Sequence, residues 1–130
     1  MPSLVAALLL AAHGLVHLSF VSPRPPAKPG APLWPFDLGR SWLLTPPGLS
    51  SAATRAIGIV LLVAVLAGYL AAILGVIGTL PALFVPGIVV GSVASIVMLA
   101  LFFHPWLVFG FVIDAVLLWA VLINGWRPGA

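Results

Sequence analysis

Four uninterrupted apolar runs, about residues 4–21, 56–80, 82–103 and 105–123, constrain this chain more than any other feature. A helix needs about 20 mostly apolar residues to cross the hydrocarbon core of a bilayer, and each run has that length. Strands are excluded, because the runs are continuous rather than alternating and an open sheet cannot satisfy its edges in lipid. The expected fold is all-α, a four-helix transmembrane bundle forming one domain over residues 1–130. A long Pro/Trp-rich loop, residues 22–55, joins helices 1 and 2. Composition agrees: 63% of residues are hydrophobic and 5% charged, against about 25% charged in soluble domains. The expected location is the inner cell membrane, with the lipid bilayer as first partner. Five basic and two acidic residues give a net charge of +3 but form no basic patch, so no nucleic-acid partner is expected. The absence of cysteine excludes disulfides, thiolate metal sites and cysteine nucleophiles.

The first run reads as a retained span rather than a signal peptide, because Met1-Pro2-Ser3 supplies no basic n-region and the run holds two histidines. Pro81 and Pro105 fall at span starts, where a missing N–H costs little. Pro86 lies within the first turns of the third span and is expected to shift its start or kink it. Small residues repeat at every fourth position: Ala64, Gly68 and Ala72, with Ala67, Ala71 and Gly75 on a neighbouring face, and Gly87, Gly91 and Ser95 in the third span. In lipid such ladders permit close helix contact, either inside the bundle or between copies as a homo-oligomer.

The loop holds eight prolines between Ser22 and Ser50, so its first half is expected to be extended. Arg24, Lys28 and Arg40 lie in it and Arg55 stands at the foot of the second span, against only Arg127 on the other side. The positive-inside rule places the loop in the cytoplasm and both termini outside. Within it, "LWPFDLGRSWLL" is too apolar for a free linker. Trp34 and Trp42 fit an interfacial segment. Alternatively the segment folds back as a lid over the bundle's mouth, with Asp37 and Arg40 paired. Trp106, Trp119 and Trp126 read as belt residues.

Ionisable side chains inside spans are costly and point to function by default. Three occur here, His13, His17 and Asp114. The i, i+4 spacing puts both histidines on one helix face, and Gly14 beside them lets a neighbouring helix approach. His13 and Asp114 fall near the midpoints of their spans, and His17 lies about 6 Å nearer the loop. His104, in the turn after the third span, stands at the same mouth as Arg55. Four readings are open: a structural clasp between the first and fourth helices; proton or small-solute passage from His104 through His17 to His13 and Asp114; a zinc or iron site using His13, His17 and Asp114; or an enzyme pocket using a histidine as acid or base on a lipophilic substrate. A bis-histidine haem is not expected, because both membrane histidines lie on one helix.

The segments "HGLVHL" (residues 13–18), "WPFDLGRSWLL" (34–44) and "HPWLVFGFVIDAVLLWAVL" (104–122) resemble small four-helix membrane proteins found widely in bacteria. No agreed activity attaches to that group, so His13, His17 and Asp114 inherit no role from it. The closing aspartate span after a short polar turn is similar to DoxX-like proteins. That resemblance implies an accessory subunit of a membrane redox system. The expected function is a subunit or accessory factor of a membrane complex; a membrane enzyme or metal protein acting on a lipophilic substrate, or a small transporter, are the alternatives.

Overall fold

A computed structural model describes residues 3–127, and all regular structure among them is helical. Helix α1 spans Ser3–Val16 and continues as a 3-10 turn over His17–Phe20. Helix α2 spans Ser51–Val76, α3 spans Phe84–Leu101 and α4 spans Val108–Leu118. Short 3-10 turns at Pro81–Leu83 and Pro105–Leu107 lead into α3 and α4, and α4 ends in a π-helical turn over Trp119–Ile123. All four segments are long and apolar enough to cross a membrane. The chain is a small polytopic membrane protein.

The second span starts five residues before its apolar run, because Ser50 caps it by accepting a hydrogen bond from the N–H of Ala53 at 3.1 Å. It ends at Val76, just before Gly78, whose φ of +85° takes the left-handed conformation that closes a helix. Arg55 therefore lies inside α2, exposed, and the loop ends at Ser50 rather than residue 55. Pro86 is the third residue of α3, where its missing N–H has no helical partner to lose, so it falls in the first turn and not in the helix interior.

Packing follows chain order: α1 lies on α2, α2 on α3 and α3 on α4. The α2/α3 crossing is the tightest. A Cβ on Gly68 would land on the backbone of Gly91, and one on Gly87 would land on the backbone of Ala72. These ladders therefore serve packing inside the bundle, and Ala67 on the neighbouring face is exposed. Along α1 the buried stripe is Ala6, Ala7, Leu10, His13, Gly14 and His17, with Leu4, Leu8, Leu9 and Leu15 turned outward. Within Val108–Leu118, α4 buries only Asp114. Consequently α1 and α4 scarcely meet, and an open apolar cleft of about 700 Å³ runs between them.

The loop folds back on the end of the bundle. Leu38 is buried, with its methyl groups where a Cβ on Gly58 would stand. Phe36 packs edge-on against Phe20, which packs in turn against Phe102. The Ser41 hydroxyl donates to the carbonyl of Leu101 and the Trp42 indole to that of Ala100, both at 2.6 Å. Two of the carbonyls left over at the end of α3 are thereby satisfied. The expected Asp37–Arg40 pair does not form. Asp37 accepts from the N–H of Gly39 at 2.8 Å and faces Arg24 at 3.9 Å, because the turn at Gly39 points the carboxylate back along the chain. Ser41 also accepts from the N–H groups of Leu43 and Leu44. Ser41→Ala should therefore loosen the lid by about 1–3 kcal/mol. Hydrogen exchange at residues 43–45 is the check, and unchanged protection there would contradict the assignment.

Candidate functional site

The stripe on α1 brings His13 to the depth of Asp114 on α4, and the two meet. Nε2 of His13 lies 2.7 Å from Oδ1 of Asp114, which is fully buried. Two other helices complete the cluster. Tyr69 of α2 donates its phenolic hydrogen to the same Oδ1 at 2.5 Å, and the Ser95 hydroxyl of α3 lies 2.5 Å from Oδ2. Ser92 stands 3.0 Å from the Tyr69 oxygen. His17 joins through Ser95, with Nε2 at 2.8 Å from its hydroxyl, while Nδ1 of His17 donates to the carbonyl of His13 at 3.0 Å. All four helices thus converge on one carboxyl group. Gly14 makes this possible from α1, since a Cβ there would press on Tyr69 at 3.3 Å.

Counting hydrogens fixes what the network holds. A carbonyl can only accept, so Nδ1 of His17 carries a hydrogen. Ser95 has one hydrogen and stands between His17 and Asp114. With no net charge on the cluster, every bond is then made in two ways. In one, an imidazolium at His17 donates to Ser95, which donates to an Asp114 carboxylate. In the other, an Asp114 carboxylic acid donates to Ser95, which donates to a neutral His17. Both leave the cluster neutral overall, as the membrane interior favours. In both, His13 donates through Nε2 to Asp114 and keeps Nδ1 unprotonated.

That nitrogen is the unpaired end of the network. Among the described residues Nδ1 of His13 has no hydrogen-bond partner, yet it is not sealed in: the one enclosed side-chain polar atom there without a partner is Oγ1 of Thr54. The His13 ring borders two cavities, the 700 Å³ cleft between α1 and α4 and an aromatic-walled cavity of about 220 Å³ nearer the loop.

The metal reading does not fit this geometry. Both nitrogens of His17 are taken, and Ser95 stands between it and Asp114. Among the described residues no three His, Cys, Asp or Glu side chains are grouped to hold a metal ion. The passage reading lacks its first step. His104 accepts from the N–H of Trp106 at 3.1 Å and lines a separate mouth cavity of about 420 Å³ with Arg24, Trp34, Asp37, Arg40 and Trp42. No hydrogen bond joins His104 to His17 among the described residues. Arg55, expected at this mouth, does not line the cavity. Trp106 and Trp119 are exposed as belt residues would be, whereas Trp126 packs edge-on against Phe84 at 5.0 Å.

Sequence reasoning found His13, His17 and Asp114 but missed Tyr69, Ser92 and Ser95. Tyr69 is the chain's one tyrosine and sits in mid-span, which was its available signal. Ser95 read as a small packing residue because it continues the Gly87–Gly91 ladder. The chain matches no family model, no curated protein and no solved structure.

Proposed function

We propose that this small membrane protein binds a lipophilic small molecule in the α1/α4 cleft, with His13 as its polar anchor and the loop on the cytoplasmic side. The observation that carries this reading is a buried histidine that borders an apolar cleft of ligand size and whose Nδ1 has no hydrogen-bond partner among the described residues. Its other nitrogen is held by Asp114, so the ring presents a fixed acceptor in a low-dielectric groove. An aspartate holding one histidine nitrogen while the other faces a bound molecule is also the arrangement of a general base, so acid–base chemistry on the ligand is compatible with it. The loop's side follows from Arg24, Lys28, Arg40 and Arg55 against Arg127. Mass spectrometry of the protein released intact from native nanodiscs tests the proposal. A specific non-phospholipid mass should accompany the wild-type chain and disappear in Val16→Trp, which fills the cleft from an exposed position. The same lipid profile in both proteins would refute it.

A second reading is favoured by how little of α4 is buried: an accessory subunit, with the helix of a partner protein lying in the cleft. A stoichiometric polypeptide that copurifies and is lost in Val16→Trp, in place of a small molecule, would select this reading.

A further inference from the structure

The cleft has two parts that differ in lining. The larger is bounded mainly by aliphatic residues of α1 and α4, among them Leu9, Leu10, Val112 and Val116, with Trp126 also in its wall. The smaller, on the loop side of His13, has aromatic walls supplied by Phe20, Phe36, Trp106 and Phe109. His13, Val16 and Ile113 border both, so the two parts adjoin at the histidine. A planar ring suits the aromatic chamber, where edge and face contacts stabilise it. A flexible chain suits the aliphatic groove.

Nδ1 of His13 sets the polarity of the head. Both neutral arrangements that keep every hydrogen bond leave it as a lone pair. A ketone, ester, ether or carboxylate head brings only acceptors to that nitrogen. An O–H brings the missing donor.

We propose that the cleft takes a long-chain phenol, a lipophile headed by an aromatic hydroxyl that donates to Nδ1 of His13, with its ring in the smaller chamber and its tail in the larger groove. This rests on the ligand-binding reading above and adds the head-group chemistry and the direction of binding.

The test uses the full chain in phosphatidylcholine nanodiscs, labelled with ¹⁵N at histidine. Its probes are para-pentadecylphenol, the methyl ether of that phenol, and pentadecylbenzene. The phenol should bind saturably and move the unprotonated ¹⁵N resonance of His13 upfield, the signature of an accepted hydrogen bond. The ether and the hydrocarbon should bind about tenfold more weakly or worse, since a site built to pair with a hydroxyl rejects analogues lacking it. They should leave that resonance in place. Val16→Trp and Ile113→Trp alter exposed positions bordering both chambers, so the cluster remains folded and phenol binding should be lost. Equal binding of phenol and ether, abolished by both substitutions, would overturn the head-group assignment while leaving the cleft as a lipophile site. Phenol binding that survives both substitutions, or no saturable binding of any probe, would overturn the proposal. The copurification experiment decides cleft occupancy separately.

Discussion

Gly68→Leu is expected to take the bundle apart at its tightest crossing. The Cβ alone would fall on the backbone of Gly91, and a backbone cannot move aside as a flexible side chain does. Overpacking ordinarily costs about 1–3 kcal/mol, and this position should lie at or above that upper end. The damage extends to the polar cluster, because separating α2 from α3 pulls Tyr69 away from Ser92 and Asp114. Ala67→Leu, one residue away on an exposed face, should change stability by less than about 0.5 kcal/mol. Reversible unfolding in mixed micelles measures both. Similar midpoints for the two variants would mean that the ladder does not hold α2 against α3.

The second large effect is expected at Asp114, where the choice of substitution matters. Asp114→Ala removes the acceptor for His13, Tyr69 and Ser95 at once. At the modest worth of buried hydrogen bonds in membrane proteins this costs about 2–5 kcal/mol. Asp114→Asn should cost less than about 1 kcal/mol, because a carboxamide reproduces one of the two neutral arrangements. Its oxygen accepts from His13 and Tyr69, and its amide donates to Ser95, which turns its own hydrogen to a neutral His17. If asparagine proves as damaging as alanine, the carboxylic-acid arrangement is not available to the fold, and the His17–Asp114 ion pair bridged by Ser95 is the sole neutral form.

Much of the fold was legible because lipid makes the rules few. Runs long enough to span, prolines at their starts and the absence of lysine and arginine from mid-span left little besides four helices. Boundaries were less legible: Ser50 extends α2 past the apolar run by a cap that hydropathy does not register. The loop's apolar patch was visible, but its partner was not. Whether Asp37 meets Arg40 or Arg24 depends on a turn at Gly39, and residues three apart in a loop share no helical face that would bring them together.

The site divides along the same line. Sequence by itself determined that His13 and Asp114 must find partners at one depth, because lone polar groups in mid-membrane are costly. It also placed His17 on the same face of the first span. Tertiary structure alone decided that a serine separates His17 from Asp114, that Tyr69 shares the carboxylate, and that α1 and α4 join at His13 and Asp114 while packing little against each other. The physical reason is that a hydroxyl in a span carries too small a solvation penalty to stand out in one dimension, whereas three helices closing on one carboxyl group give it a defined place. That sparse packing leaves an apolar cleft beside the polar clasp, bordered by His13.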